Sequence, residues 1–172
     1  YFAGAFVCGV AAWAKFRWMP HLGVLACAAA LAATLTLDAP APVALLFLVM
    51  IGFIAFIVSV YSLGYMAHAH RQGWYWFFLL LTFGALLNIV TTDNIGTLAS
   101  QWEVMTWASF ALVAWERTSK ARDAAIKYVV LCCSAAYLMI VGFFMIGGNH
   151  TQYGEIVANL AVHSDDVLKF AL

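Results

Sequence analysis

Long apolar stretches separated by short polar segments run along the whole chain. Most have about 20 residues, which in a helix rising about 1.5 Å per residue match a hydrocarbon core of about 30 Å. The pattern predicts an all-α integral membrane protein, a polytopic bundle of about six transmembrane helices and a truncated seventh in one domain over residues 1–172. The predicted helices cover residues 1–14, 18–37, 42–66, 74–90, 95–115 and 124–146, with an interfacial helix at 153–163 and the start of another at 167–172.

The composition supports a membrane location and excludes a water-soluble fold. Hydrophobic residues make up 66% of the chain and charged residues only 9%, and the mean hydropathy is +0.93. Soluble domains carry about 25% charged residues. The formal net charge is zero, and we expect the lipid bilayer as a partner and no nucleic acid.

Positive charges predict the orientation of the chain. Seven of the 8 Lys and Arg residues fall in loops, or just inside helices, that open to the same side: Lys15, Arg17, Arg71, Arg117, Lys120, Arg122 and Lys127. Loops on the opposite side contain Asp38 and Asp93. The positive-inside rule then predicts a multi-pass protein of the cell inner (cytoplasmic) membrane, with the Arg/Lys loops in the cytoplasm and the amino terminus outside.

One acidic residue lies deep inside an apolar stretch. Glu103 is eight residues from the start of the predicted helix 95–115, a depth of about 12 Å. An ionised carboxylate at such a depth costs at least about 3 kcal/mol, so it is usually paired, protonated or in contact with water inside a bundle. The alternative is a neutral carboxyl bonded to a neighbouring hydroxyl. Glu103 is therefore the leading candidate for a functional residue.

Four motifs occur in a fixed order around Glu103. They are SVYSLGYM at 59–66, DN at 93–94, WE at 102–103 and AAIK at 124–127. This frame resembles the antiporter-like subunits shared by respiratory complex I, the Mrp-type cation/proton antiporters and the membrane-bound nickel–iron hydrogenases. The segment WEVMTWASFALV is most similar to the branch of hydrogenase-4 component B and the formate hydrogenlyase membrane subunit.

The resemblance implies a subunit that translocates protons or sodium ions within an energy-converting redox complex. Such a complex is a membrane-bound hydrogenase or formate hydrogenlyase, and the subunit itself would not catalyse a reaction. The equivalent subunit of NADH:quinone oxidoreductase, or of an Mrp-type antiporter, is the alternative. The resemblance implies that Glu103 controls the protonation of a nearby lysine, and that Lys127 matches a lysine near the cytoplasmic end of helix six. The implied partners are other membrane subunits and a cytoplasmic redox arm. That arm would hold the redox cofactors, and no cofactor or metal is expected in this chain.

The chain departs from the family pattern in two places. Residues 37–42 join the second and third predicted helices directly, where the family has a longer acidic stretch. The family's pathway also uses a lysine on helix seven and groups on later helices, and this chain stops before them. The sequence is either an excerpt of a longer subunit or a reduced relative that cannot translocate ions alone. Because it also begins without a methionine, we expect the excerpt.

Other polar residues have competing interpretations. Asp93 and Asn94 fit an N-cap better than a pathway role, because a side-chain oxygen at that position accepts bonds from free backbone N–H groups. A second set can form either a proton pathway or interhelical hydrogen bonds: Asn88, Thr106, Ser109 and Ser134. Thr106 follows Glu103 by three positions on one helix face, which can bring its hydroxyl within reach of the carboxyl. Lys127 belongs either to the pathway or to the membrane surface, which its side chain can reach by snorkelling.

Two further hypotheses belong to other functional classes. A di-haem cytochrome needs histidine pairs in mid-membrane, and no histidine lies in the middle of a predicted helix. A structural membrane anchor without ion transport needs only a satisfied Glu103. The aromatic run at residues 74–78 is expected to form an interfacial belt.

Overall fold

The computed structural model describes residues 19–36, 42–67, 72–147 and 151–162. Within these residues the chain is helical and forms no strand beyond one isolated bridge. The six α-helices, numbered here in chain order, are α1 (Met19–Thr36), α2 (Pro42–Tyr65), α3 (Gln72–Thr91), α4 (Ile95–Val113), α5 (Ser119–Gly147) and α6 (Tyr153–Val162), and a 3₁₀ turn (Ala114–Glu116) follows α4. The predicted helices at 1–14 and 167–172 lie outside the described residues, as do Lys15, Arg17, Asp38 and Arg71.

Three of these helices are long and apolar enough to cross a membrane. They are α2, α3 and residues Ser119–Met145 of α5, and α1 contributes a shorter apolar helix, Pro20–Ala33. Helix α4 is not among them, because polar side chains such as Gln101 and Glu103 lower its mean hydropathy. The all-helical membrane class is confirmed for the described residues, whereas the predicted six or seven transmembrane helices are not.

Helix α5 begins five residues before the predicted apolar segment. The hydroxyl of Thr118 accepts a hydrogen bond from the backbone N–H of Ala121 (3.1 Å), which caps the helix at Ser119. The preceding residue, Arg117, has a positive φ of 55° and turns the chain out of the 3₁₀ segment. The charged segment before the apolar stretch is therefore helical, and Lys127 lies in the third turn of α5.

The described core is formed where α1, α2 and α3 meet, around Trp76. Its indole ring is fully buried and packs on Gly23, where an added Cβ would overlap the ring. The predicted aromatic belt is therefore wrong for Trp76, whose side chain faces the helices and not the membrane surface. Its neighbour Trp74 is 45% exposed and remains compatible with a belt.

Small residues let α2 approach its neighbours closely. Its buried positions follow a helical spacing and end with Gly52, Ala55, Ser59 and Ser62. A Cβ added at Gly52 would lie 3.0 Å from a methyl group of Leu31, so α1 and α2 are in tight contact there. Small residues at interfaces are typical of membrane helices, because they bring backbones close enough for van der Waals packing.

Candidate functional site

Glu103 lies in the middle of α4, which packs against both α3 and α5. The helix starts where it does because the Asn94 side chain accepts a hydrogen bond from the backbone N–H of Thr97 (3.1 Å). Glu103 follows Ile95 by eight residues, about 12 Å along the axis, and its side chain is half-buried. The carboxyl is therefore remote from the polar turns at both ends of α4.

Two tyrosines of α5 face polar side chains of α4. The Ser109 Oγ atom lies 2.8 Å from the Tyr128 hydroxyl, and the Glu103 carboxyl interacts with the Tyr137 hydroxyl. Ser109 follows Glu103 on α4, whereas its partner Tyr128 precedes Tyr137 on α5. The two helices therefore run antiparallel. We call these four residues the α4–α5 seam. Tyr137 is 58% exposed, so Glu103 and Tyr137 lie at the edge of the seam.

The spacing in the sequence allowed Thr106 to steady Glu103, but its hydroxyl bonds elsewhere. Its hydroxyl donates a hydrogen bond to the backbone carbonyl of Trp102 (2.9 Å), one turn earlier on the same helix. A threonine hydroxyl has a single proton, so this bond leaves none to donate to the Glu103 carboxyl. Donation from Thr106 to Glu103 is therefore excluded, although Thr106 is buried and only 1% exposed.

The remaining predicted pathway residues are not gathered around Glu103. Lys127 is exposed and lies ten residues from Tyr137 along α5, about 15 Å, so no direct ion pair with Glu103 forms. Ser134 is exposed, and its hydroxyl donates to the carbonyl of Val130 on its own helix (2.7 Å). Asn88 is half-buried on α3, and among the described residues no hydrogen bond joins it to Glu103.

Asp93 and Asn94 have structural roles at the α3–α4 turn. Asn94 caps α4, while the backbone carbonyl of Asp93 accepts a hydrogen bond from the N–H of Tyr153 (3.0 Å). The N–H of Ile95 in turn donates to the carbonyl of Thr151 (2.9 Å). The turn therefore holds the start of α6, and no part of this geometry requires a proton pathway.

Sequence reasoning missed the two tyrosines of the seam and the buried amide of Gln101. The Oε1 atom of Gln101 is buried without a hydrogen-bond partner, two residues before Glu103. The signal for Tyr128 and Tyr137 was available, because a phenol inside an apolar helix usually finds a polar partner. An unpartnered buried amide oxygen is in turn a typical place for an ordered water.

The seam contains the kinds of side chain that can hold and pass protons. It combines one carboxyl group with hydroxyl groups on two helices, which are donors and acceptors at once. In the part of the chain that the structure describes, no group of three His, Cys, Asp or Glu side chains is placed to hold a metal ion.

Comparisons with known proteins show similarity over parts of the chain. The family model of the N-terminus of chain 5 of NADH-ubiquinone oxidoreductase (complex I) matches residues 31–78. A protein named Na(+)/H(+) antiporter subunit A1, from Staphylococcus haemolyticus (strain JCSC1435), is 31% identical over 146 residues, 83% of this chain and 17% of that protein. Its namesake in Staphylococcus aureus (strain JH9) is 35% identical over 105 residues, 61% of this chain and 12% of that protein. The chain is similar to antiporter-like membrane subunits.

The antiporter-like similarity extends over the region of the seam. The family match ends in α3, but an alignment that covers 83% of this chain necessarily includes its central part, where Glu103 lies. The aligned part is about a sixth or less of the length of these antiporter-like relatives. The names of the relatives point to the Na⁺/H⁺ antiporter branch and the family model points to complex I, whereas the motif around Trp102 resembles the hydrogenase branch.

Proposed function

We propose that the chain is part of a cation-translocating, antiporter-like membrane subunit in which Glu103 binds and releases a proton during transport. The observation that carries the proposal is the position of Glu103, half-buried at mid-helix against a tyrosine of the neighbouring helix. An ionisable group at such a depth is costly and marks ion pathways in membrane proteins. The similarity to Na⁺/H⁺ antiporter subunits supports the same function.

The branch of the superfamily is a finer part of the proposal. The names of the relatives favour an Mrp-type antiporter, and the family model favours complex I, over the hydrogenase complex. We therefore propose the former context, with other membrane subunits as partners. A cytoplasmic redox arm stays a prediction that depends on the hydrogenase or complex I branch. Either H⁺ or Na⁺ fits as the transported ion, because Glu103 binds a proton in both exchange schemes.

A structural anchor is the second candidate, and the contact with Tyr137 favours it. The phenol of Tyr137 offers a protonated Glu103 a hydrogen-bonding partner, which lowers the cost of burying the carboxyl group. In that case Glu103 contributes to helix packing and never exchanges its proton. Transport measurements separate the two candidates, because a packed neutral carboxyl tolerates replacement by an amide.

The test replaces Glu103 with Gln in the full-length subunit within its native complex. H⁺ and Na⁺ fluxes are measured in sealed vesicles, with Glu116→Gln as the matched control. Glu116 is exposed in the 3₁₀ turn beyond α4, so the control makes the same chemical change outside the seam. We expect Glu103→Gln to lower transport at least about 100-fold, the typical contribution of a positioned proton-transfer group, and Glu116→Gln to leave it unchanged. If both variants assemble normally and transport equally well, the proposal is contradicted, and the structural anchor is the remaining candidate function.

A further inference from the structure

The α4–α5 seam contains a second polar contact, nearer than Glu103 to the predicted cytoplasmic side. The Tyr128 hydroxyl and Ser109 Oγ lie 2.8 Å apart, and both side chains are half-buried. This contact joins two helices, whereas the hydroxyls of Thr106 and Ser134 bond to their own helices. Tyr128 was not among the predicted pathway residues.

The hydrogen bonds of Ser109 allow two proton arrangements. Its Oγ atom lies 2.7 Å from the backbone carbonyl of Met105 and 3.1 Å from that of Thr106, in addition to the Tyr128 hydroxyl. When Ser109 donates to a backbone carbonyl, Tyr128 donates to Ser109. When Ser109 donates to Tyr128 instead, the phenol proton is free to point elsewhere. A hydroxyl pair that can be polarised both ways is what a proton relay requires.

The positions of Ser109 and Tyr128 along their helices give their separation from Glu103. Ser109 follows Glu103 by six residues on α4, about 9 Å, and lies toward the 3₁₀ turn and Arg117. On α5, Tyr128 is nine residues from Tyr137, about 14 Å. Six residues also turn α4 by about 600°, so Ser109 and Glu103 lie about 120° apart around the helix, and the relay needs water molecules that follow the helix surface between them. The charged first turns of α5, where Lys120 and Arg122 are exposed, precede Tyr128 on the same helix.

The same kind of bond occurs once more in the described residues. The Tyr75 hydroxyl lies 2.8 Å from Ser62 Oγ and joins α3 to α2. Neither of these helices contains an Asp or a Glu. This second Tyr–Ser pair therefore provides a control with an equal interhelical bond between two helices that have no acidic residue.

We propose that Tyr128 and Ser109 form a hydroxyl relay that passes protons between the Arg117 end of the α4–α5 seam and Glu103. The relay rests on the proposed function and adds Tyr128 to it. For each proton that enters from hydronium at the Arg117 end, each hydroxyl accepts one proton and releases one, and intervening waters do the same. The two side chains are thus unchanged after a transfer, and the carboxylate of Glu103 becomes a carboxyl.

The test compares Tyr128→Phe with Tyr75→Phe in the full-length subunit within its native complex. Both variants lose one phenol hydroxyl and one interhelical hydrogen bond, so both are expected to lower the melting temperature by a similar amount. Only Tyr128→Phe is expected to lower the transport rate in sealed vesicles, by about tenfold, because water can replace part of a lost relay group. Equal transport by the two variants overturns the relay.

Serine variants keep the test decisive if Tyr128→Phe does not assemble. Ser109→Ala is expected to lower transport as much as Tyr128→Phe, and the double variant no further, because the two hydroxyls act as one unit. Ser100→Ala is the matched control on α4, since the exposed Ser100 hydroxyl donates only to the carbonyl of Thr97 (2.8 Å). Full transport by Ser109→Ala contradicts the relay.

Measuring Glu103→Gln in parallel separates failure of the relay from failure of the proposed function. If Glu103→Gln stops transport while Tyr128→Phe behaves like Tyr75→Phe, the relay is wrong and the function stands. If Glu103→Gln transports normally, the proposed function is wrong and the relay falls with it.

Discussion

A single glycine on α1 lets the largest fully buried side chain reach the centre of the described core. Gly23 faces Trp76, and a Cβ in its place would overlap the indole ring. We expect Gly23→Ala to reduce the free energy of unfolding by about 1–3 kcal/mol, the usual cost of overpacking. The measurement is the melting temperature of the detergent-solubilised protein.

The control for this substitution is Gly142→Ala on α5. A Cβ there meets nothing within 4 Å, and alanine is favoured over glycine inside a helix by up to about 1 kcal/mol. The control is therefore expected to be neutral or slightly stabilising. If Gly23→Ala melts at the temperature of the control, the close contact with Trp76 does not limit the packing of α1 on α3.

The sequence predicts the role of some side chains and not of others. Glu103 stands out because a carboxylate in an apolar stretch is conspicuous whatever surrounds it. Tyr128 does not, because an aromatic residue adds to the apolar pattern and its partner Ser109 is 19 residues away. The burial of Trp76 likewise depends on which helix presents a glycine to it, and the periodicity of α3 alone does not contain that information.

Helix starts are set by local chemistry, and helix lengths are not set by apolar content alone. Pro42 begins α2 at the position where a missing N–H costs nothing, and Asn94 caps α4. The sequence supplied both boundaries. The start of α5 was misplaced, because apolar content marks the part of a helix inside the membrane, whereas the Thr118 cap starts the helix earlier, in a charged segment.

Helix α6 is held by a small set of contacts that can be tested directly. Its start is bonded to the α3–α4 turn, the Tyr153 ring packs edge-to-face on Phe143, and the Ile156 side chain is only 5% exposed. Burial also raises the pKa of Tyr153, so its phenol stays neutral above the ordinary range for tyrosine. Ile156→Ala is expected to cost about 2–5 kcal/mol. The loss should appear as faster amide hydrogen exchange across Tyr153–Val162.

Val157, the next residue in the sequence, provides the control for Ile156→Ala. Val157 is 64% exposed, so Val157→Ala removes similar apolar volume without opening a cavity in the described structure. We expect amide exchange in α6 to stay close to that of the unchanged protein in this variant. Equal acceleration by both substitutions would show that α6 is not held through Ile156, and that the backbone bonds to the α3–α4 turn hold it alone.

The described bundle exposes much of its apolar surface. Large hydrophobic side chains on α2 and α5 are more than half exposed, among them Leu46, Phe53, Leu131 and Leu138. Lipid or neighbouring membrane segments are the environment in which such surfaces are stable, since a soluble monomer rarely carries them in large contiguous patches. The sequence predicts this class from composition, but it does not predict which faces pair, because nearly every face of these helices is apolar.

The predicted topology depends on whether α4 crosses the membrane. Helix α4 is about 28 Å long, close to the hydrocarbon thickness, yet it is not among the helices apolar enough to be recognised as spans. Asp93 and Lys120 lie beyond its two ends, and both side chains are exposed. Asp93→Cys and Lys120→Cys therefore report the two sides of α4 to a membrane-impermeant maleimide.

We expect Asp93→Cys to be labelled on intact cells and Lys120→Cys only after the membrane is opened, because the Arg/Lys loops favour the cytoplasm. The unsubstituted protein gives the background from its native cysteines, of which Cys27 is buried and Cys132 and Cys133 are half-buried. The reverse labelling pattern would invert the orientation and place the Tyr128 end of the seam outside. Labelling of both sites from one side would mean that α4 does not cross the bilayer, and Glu103 would then lose the depth on which its proposed role depends.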